Sequence, residues 1–233
     1  AAAIFTGFNP MFVFVSAAIN NDNLSNLLAS LILLMIVRLL KQADTLPTRR
    51  FYAALGLAAG AGMLAKYQIG FLLPLIALAL LFVSIRLRDR RPVTVGSAIA
   101  GGLTILIAGW WYWRNYDLYG DATGINVFLD IVGRRVPPAD LHQLWTERET
   151  FMMSFWGLFG GVNLPLPDAT YTLFNILVAF SLVGLAYGLF RRAMQRPVLP
   201  ATREVRLLWL ARGVAAAWPV IVFVSLLSWT RVT

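Results

Sequence analysis

The chain has 233 residues, of which 59% are hydrophobic and 13% charged, and its formal net charge is +9. A soluble domain is usually about half apolar and about a quarter charged, so this composition excludes an ordinary soluble protein. The absence of cysteine excludes disulfides and thiolate metal sites, and one histidine, His142, cannot form a histidine metal cluster. The positive charge does not indicate nucleic-acid binding, because the basic residues flank apolar runs, where membrane-topology signals lie.

Apolar runs predict about seven transmembrane helices, since about 20 apolar residues are needed to cross the hydrocarbon core. The run 51–85 is too long for one crossing, is interrupted by Lys66-Tyr67-Gln68 and has basic residues at both ends. It therefore predicts a helical hairpin rather than one helix. In chain order the predicted spans are 2–19, 24–40, 51–65, 69–85, 93–113, 170–190 and 207–229. The predicted fold class is an all-α polytopic membrane protein with a single transmembrane domain, 1–233.

The distribution of basic residues predicts the orientation. Thirteen Lys and Arg residues lie in the links after the second, fourth and sixth spans, and six lie on the opposite side. Because basic loops stay in the cytoplasm, the turn 20–23, Lys66 and the long segment 114–168 are expected to face outward. We expect a multi-pass protein of the bacterial cytoplasmic membrane. Both ends of the chain fall beside apolar runs, so we expect a segment of a longer protein.

The outer segment 114–168 is expected to carry one or two interfacial helices. From Leu141 to Phe159 apolar residues recur at helical spacing, which indicates a helix at the headgroup boundary. Gly160-Gly161 is expected to end this helix. In the third span, the small residues of the run 56–62 predict close packing against another helix.

Candidate binding residues lie at the outer ends of the spans. Asn21 and Asp22 stand in a turn whose amides suit sugar hydroxyls, although Asp22 could equally cap the following helix. Lys66 is a candidate phosphate-binding cation at the hairpin tip, or else a lysine that extends to the interface. Trp156 is a candidate aromatic surface for substrate.

Arg114 and the pair Arg134–Arg135 are the remaining candidates. Arg114 follows four aromatic residues at the end of a span, which is also typical of an interfacial belt. Its planar guanidinium suits bidentate phosphate contact. Arg134 and Arg135 are expected on the outer side of the membrane, where basic residues are usually less frequent. They are candidates for a phosphate clamp or for contacts with lipid headgroups. The sequence has no nucleotide-binding or zinc-protease motif, and its carboxylates do not form a cluster that demands a metal.

Several short motifs resemble bacterial GT-C glycosyltransferases related to protein O-mannosyltransferases and to the aminoarabinose transferase of lipid A. They are Asn9-Pro10-Met11-Phe12, Asn20-Asn21-Asp22, Gly62-Met63-Leu64-Ala65-Lys66-Tyr67, Gly109-Trp110-Trp111-Tyr112-Trp113-Arg114-Asn115, Leu118-Tyr119-Gly120-Asp121 and Ser154-Phe155-Trp156-Gly157-Leu158-Phe159-Gly160.

The resemblance implies an inverting transferase that moves a sugar from a polyprenyl-phosphate carrier to an extracytoplasmic acceptor such as a cell-envelope glycan, lipid or protein. No cofactor or metal is implied. In such enzymes an acidic residue of the first outer loop acts as the base. This loop is expected upstream of Ala1, so the segment is expected to be inactive alone. The alternatives are a transporter or flippase for a lipid-linked or small solute, and a membrane scaffold without enzymatic activity.

Overall fold

A computed structural model describes residues 6–41, 44–194 and 202–232. Residues 2–5 of the first predicted span and residues 195–201 of the link after the sixth span lie outside the described residues. In the described part the α-helices are α1 (Pro10–Ala17), α2 (Asn21–Lys41), α3 (Arg49–Ala65), α4 (Leu73–Leu87), α5 (Ser97–Thr104), α6 (Trp110–Tyr119), α7 (Ile125–Val132), α8 (Leu141–Thr146), α9 (Arg148–Gly157), α10 (Asp168–Met194) and α11 (Arg203–Thr230).

Three irregular segments complete the helical spans. A 3₁₀ helix, Tyr67–Leu72, precedes α4, and π-helical segments at Pro92–Gly96 and Ile105–Gly109 flank α5. A short antiparallel hairpin pairs β1 (Leu158–Phe159) with β2 (Leu164–Pro165). The π segments keep the chain helical from Pro92 to Tyr119, so the predicted fifth span extends six residues beyond 113.

Among the described residues, five helical stretches are long and apolar enough to cross a membrane: Asn21–Lys41, Tyr67–Leu87, Pro92–Tyr119, Asp168–Arg191 and Leu208–Thr230. They correspond to five of the predicted spans, and the all-α polytopic fold is confirmed. The other two predicted spans form shorter helices. α1 has eight residues and α3 has 17, and 17 residues rise only about 25 Å. α3 is short because the backbone of Lys66 becomes extended, with φ −157° and ψ 126°.

The packing divides the chain into two compact units. One comprises Ala1–Ile19 and Asp140–Thr202, and the other comprises Asn20–Ala139 and Arg203–Thr233. The predicted outer segment 114–168 therefore contributes to both units, with the division at Asp140.

The core of the larger unit lies among α2, α3 and α4. Ile32, Leu55, Leu72 and Val83 are fully enclosed there. α11 packs against this core with a mostly small or aliphatic face, formed by Ala211, Val214, Ala217, Trp218 and Ile221. The remaining faces of α11 expose large apolar side chains, as expected of a helix that meets lipid.

α3 and α5 approach each other unusually closely. A Cβ atom added to Gly56 would lie 2.4 Å from the carbonyl oxygen of Ala100, and one added to Gly60 would lie 2.9 Å from Cβ of Ile107. The hydroxyl of Thr104 lies within hydrogen-bond distance of the carbonyl oxygens of Gly56, at 3.2 Å, and Ala100, at 2.8 Å. The structure thus shows the helix approach that the small residues of α3 predict.

The smaller unit is built around the aromatic segment that follows α9. Asn9 caps α1 by accepting a hydrogen bond from the backbone N–H of Phe12, and its amide donates to the carbonyl of Phe155 at 3.4 Å. The ring of Phe14 packs edge-to-face on Phe159, with centroids 5.2 Å apart. These contacts attach α1 to α9 and to the hairpin.

The predicted interfacial helix 141–159 is two helices, with a break at Glu147. The prediction that Gly160-Gly161 ends it is wrong, because α9 already ends at Gly157. A Cβ atom added to Gly157 would lie 2.8 Å from the side chain of Leu166. The carbonyl of Gly157 accepts a hydrogen bond from the hydroxyl of Tyr171 at 2.5 Å. Leu158 and Phe159 then form the hairpin strand, and Gly160 turns it with φ +65°.

We predict that Gly56→Ala destabilises the larger unit. The added methyl meets the backbone of Ala100, which cannot rotate away, so α3 and α5 must separate; overpacking of this kind costs about 1–3 kcal/mol. The free energy of unfolding in a detergent titration with sodium dodecyl sulfate measures this loss. The control is Gly101→Ala, where nothing lies within 4 Å of the new methyl. Equal stability of the two variants would contradict the prediction.

Candidate functional site

The tip of the hairpin between α3 and α4 carries Lys66. The backbone N–H of Lys66 closes the last turn of α3 on Gly62 at 2.8 Å, and the chain then enters the 3₁₀ helix. Because α3 stops here, the ammonium lies at the end of two apolar helices rather than within one. A charge at such an end needs a partner or water.

The partner of Lys66 is Asp22, in the first turn of α2. The ammonium and the carboxylate form an ion pair in which each side chain keeps 37% of its exposure. The side-chain amide of Asn21 donates to the carbonyl of Ala65 at 2.9 Å. The structure therefore brings together Asn21, Asp22 and Lys66.

Asn20, rather than Asp22, caps α2. Its side-chain oxygen accepts from the backbone N–H groups of Asp22, at 3.1 Å, and Asn23, at 3.3 Å. An asparagine directly before the first helical residue is a favoured N-cap, so the sequence contained this signal. Because the cap is filled, the carboxylate of Asp22 is available to the lysine.

Arg114 lies at the end of the span that contains α5 and α6. Its guanidinium carbon is 5.4 Å from the centroid of the Trp111 ring, a cation–π contact. Two residues earlier, the hydroxyl of Tyr112 donates to the carbonyl of Met63 at 3.0 Å. This bond ties the start of α6 to the last turn of α3, so Arg114 and Lys66 belong to neighbouring helix ends. The role of Tyr112 could not be predicted from the sequence, because it depends on contact between distant segments.

Arg134 belongs to a polar network on α7. It forms an ion pair with Asp130 at 2.8 Å, and its guanidinium also donates to the side-chain oxygen of Asn126 at 3.1 Å. The amide of Asn126 in turn donates to Asp121 at 3.0 Å. Arg134 is thus held against α7, with 40% of its side chain exposed.

Arg135 lies where the outer segment meets the end of α11. Its backbone N–H donates to the carbonyl of Val232 at 2.9 Å, and that of Ala139 donates to Arg231 at 2.9 Å. The Arg231 side chain also donates to the carbonyl of Ala139 at 3.2 Å. These bonds fasten residues 135–139 to the end of α11.

The larger unit has an apolar groove of about 480 Å³ between the 3₁₀ helix, α7 and α11. Tyr67 and Phe71 of the 3₁₀ helix form one side, Ile125 of α7 another, and α11 the third. Tyr67 directly follows Lys66 in the chain, so one side of this apolar groove begins at the residue after the hairpin-tip lysine.

Trp156, the remaining candidate, belongs to the smaller unit. Its ring is 2% exposed and stacks on Phe174, with centroids 4.4 Å apart. It borders a cavity of about 680 Å³ between α8, α9 and α10. In residues 6–41, 44–194 and 202–232, no three His, Asp or Glu side chains are grouped so as to hold a metal ion.

Asp121 is the one carboxyl group outside the spans whose pKa is clearly displaced among the described residues. The backbone N–H of Asn126 donates to it at 3.0 Å and lowers its pKa, with further help from the hydroxyl of Thr123. Hydrogen bonds to the ionised form favour that form. The charge of Asp121 therefore holds the turn before α7, which carries Arg134.

We predict that the turn at Asp121 loosens only in acid. A lowered folded pKa means that the stabilisation is complete above the ordinary carboxyl pKa of 3.8 and is lost as the pH falls through the folded value. The protection factor of the Asn126 amide against hydrogen exchange should stay constant down to the folded pKa of Asp121. It should fall at lower pH. Asp121→Asn should accelerate the exchange several-fold at neutral pH, whereas Asp117→Asn on exposed α6 should not. Exchange that is unaffected by Asp121→Asn would refute this role.

Residues 1–113 match the family model described as dolichyl-phosphate-mannose-protein mannosyltransferase. The matched part contains Asn21, Asp22 and Lys66 and ends one residue before Arg114. No curated protein and no solved structure matches the chain. The match confirms the resemblance inferred from the short motifs. Together with five helices of the described residues that are able to cross a membrane, it supports a membrane protein that is similar to glycosyltransferases of this type over residues 1–113.

Proposed function

We propose that the chain is the part of a membrane glycosyltransferase that holds a polyprenyl-phosphate-linked sugar for transfer to an extracytoplasmic acceptor. The observation that carries the proposal is the cluster of Asn21, Asp22 and Lys66 at the hairpin tip, within the part of the chain that matches the family. A half-exposed ammonium beside an apolar groove suits a lipid whose phosphate lies at the membrane surface.

The reaction needs charge stabilisation more than a protein nucleophile. An acceptor hydroxyl oxygen attacks C1 of the sugar from the face opposite the phosphate, and the bond between C1 and the phosphate oxygen breaks. The hydroxyl proton passes to a base, and polyprenyl phosphate leaves with the electron pair, so the configuration at C1 is inverted. We assign the base to an acidic residue outside this segment. Cations near the leaving phosphate stabilise its developing charge.

Lys66 suits this task because Asp22 positions it without using all its donors. An ammonium has three N–H donors, so it can keep its bond to Asp22 and still donate to a phosphate oxygen. Asn21 holds the end of α3 through Ala65 and fixes the place of the lysine. We propose that Asp22 and Asn21 also meet the sugar hydroxyls.

Arg114 and the apolar groove supply the remaining contacts in this proposal. The bond from Tyr112 to Met63 keeps the start of α6, which carries Arg114, next to the end of α3, and this supports Arg114 as a second phosphate ligand. The groove that begins at Tyr67 suits the first isoprene units of the carrier. Arg134 and Arg135 lie on the segment that forms another side of the same groove, and we propose that they face the acceptor side of the site.

We propose that the chain lies in a bacterial cytoplasmic membrane with the hairpin tip outside. At the ends of α2, α3 and α4 opposite the hairpin tip lie Arg38, Lys41, Arg49, Arg50 and Arg86. Basic ends of this kind stay in the cytoplasm, so the tip with Lys66 faces outward. There it meets lipid-linked sugars and envelope acceptors.

We predict that Lys66→Gln weakens binding of polyprenyl phosphate to the 233-residue chain by about ten-fold or more. One charge-assisted hydrogen bond contributes about 1.5–3 kcal/mol, and 1.4 kcal/mol is a factor of ten. Binding is measured in detergent with the phosphate lipid as probe, so the assay does not need the catalytic base. Arg114→Gln should also weaken binding.

The matched control is Lys41→Gln, which removes an exposed cation at the opposite end of α2. It should leave binding unchanged. If Lys66→Gln and Lys41→Gln bind the lipid equally well, the hairpin tip is not the phosphate site. A second outcome would favour the transporter alternative. In that outcome the chain binds no sugar lipid, and Arg114→Gln and the Arg134–Arg135 double variant still take up a solute into proteoliposomes.

A further inference from the structure

The end of the larger unit opposite the hairpin tip carries two pairs of adjacent arginines. Arg49 and Arg50 begin α3, and Arg90 and Arg91 directly precede the π-helical segment Pro92–Gly96. All four residues are exposed. The glycosyl transfer proposed above does not use them, so their charges are available to another partner.

α3 and the helix that begins at Pro92 run side by side in the same direction. A Cβ atom added to Gly96 would lie 2.8 Å from Cε1 of Tyr52. One turn farther along both helices, Gly56 lies against Ala100. In each contact the two residues are 44 positions apart, so the helices are parallel and their first turns are neighbours.

This register brings the two arginine pairs to almost the same level. Arg49 lies opposite Val93, which is two positions after Arg91. Two helical residues rise about 3 Å, which is less than one helical turn. Arg50 and Arg90 extend the two pairs by one residue each. The four guanidinium groups therefore start from the same end of two adjacent helices.

The carboxylates of this end are engaged within the chain. Residues 38–52 and 86–96 contain two of them, Asp44 and Asp89. Asp44 accepts two hydrogen bonds from the guanidinium of Arg86, at 2.6 and 3.0 Å. Asp89 accepts from the backbone N–H of Arg91 at 2.8 Å, and its contact with the side chain of that arginine is longer, at 3.9 Å. The arginine pairs thus give this end a strong positive charge.

Ser84 fixes the backbone that carries the second arginine pair. Its carbonyl accepts a hydrogen bond from the backbone N–H of Asp89 at 3.1 Å, and its hydroxyl accepts one from that of Val93 at 3.2 Å. Arg88 turns the chain out of α4 with φ +54°. Because one serine holds both sides of the arginine pair, its backbone is positioned before a ligand arrives, and such pre-organisation lowers the cost of binding.

An apolar groove begins close to these arginines. It has a volume of about 250 Å³ and lies between α3, α4 and α5. Leu55 of α3, Leu80 of α4, and Ser97 and Gly101 of α5 belong to its lining. Ser97 is six residues after Arg91, and six helical residues rise about 9 Å. An acyl chain in this groove would therefore start near the arginine pairs.

The position and charge of this end favour one class of lipid. The stretch Pro92–Tyr119 is long and apolar enough to cross a membrane, so the arginines at its start lie at the level of lipid headgroups. A guanidinium suits bidentate contact with a phosphate. A headgroup amine would be repelled by the surrounding cations, whereas a headgroup whose charge is the phosphate alone would not.

We propose that this end of the larger unit binds one acidic phospholipid, of the phosphatidylglycerol type. The two arginine pairs hold its phosphate, and one acyl chain lies in the groove between α3, α4 and α5. The lipid covers the contact of α3 with α5 from the membrane side. This site is at the opposite end of α3 from Lys66 and does not depend on the proposed transfer reaction.

Native mass spectrometry of the 233-residue chain tests this proposal by competition among phosphatidylglycerol, phosphatidylethanolamine and phosphatidylcholine with identical acyl chains. The expected result is retention of phosphatidylglycerol at least about ten-fold above each of the others, the effect of one charge-assisted hydrogen bond. Equal retention of the three lipids overturns the proposal, and so does preference for either lipid with an amine.

Charge variants separate this site from a general attraction by the positive chain. The double variants Arg49→Gln/Arg50→Gln and Arg90→Gln/Arg91→Gln should each lower the preference for phosphatidylglycerol about ten-fold. The Arg134–Arg135 double variant removes the same charge from the segment that lies on the end of α11, and it should not change the preference. An equal loss in all three double variants overturns the proposal.

Groove variants test the place of the acyl chain. Nothing lies within 4 Å of a Cβ atom added to Gly101, which lines the groove, or to Gly102, which does not. Gly101→Phe should fill the groove and lower the retention of phosphatidylglycerol several-fold, whereas Gly102→Phe should not. Gly101→Leu is the smaller second variant, and size-exclusion chromatography shows which variants are folded. Equal retention by folded variants at the two positions overturns the proposal.

Discussion

The larger unit depends on how closely α3 and α5 approach each other. Gly56 has no side chain, so the carbonyl of Ala100 occupies the space that a Cβ would fill. Thr104 then reaches across to the carbonyl of Gly56. In lipid there is little hydrophobic drive between helices, so association relies on such close backbone contact and interhelical hydrogen bonds. This contact fixes the position of α3, and α3 carries Lys66 at its end.

The polar residues of the spans take part in this packing. Thr104, a polar residue within the predicted span 93–113, is buried and bonded to two carbonyl oxygens of α3 and α5. Transport requires polar groups that can bind a solute near the midplane. The ion pair of Lys66 with Asp22 lies instead at the hairpin tip, which is where a surface reaction with a lipid substrate is expected.

The sequence predicted the elements that follow from hydrophobic length and charge. The break at Lys66 was readable because basic residues on both sides require two crossings, and the small residues of α3 predicted its packing. The helical end at Gly157 was not readable, because it depends on Leu166 and Tyr171 farther along the chain. The ion pair of Lys66 with Asp22, 44 residues earlier, could be suspected only from the topology of the hairpin. The attachment of Arg134 to Asp130 follows a helical spacing of four residues, but Tyr112 and Met63 meet only in the folded unit.

The shortness of α3 has a consequence for the bilayer around it. Its 17 residues extend about 25 Å, some 5 Å less than the usual hydrocarbon thickness. Leu57 and Leu64 on its surface are exposed, so lipid must adapt to a helix that is too short. Hydrophobic mismatch of this kind thins the bilayer locally. The water boundary then descends toward the ammonium of Lys66, and a hydrophilic molecule from outside can meet the headgroup of a membrane-bound lipid without entering the hydrocarbon.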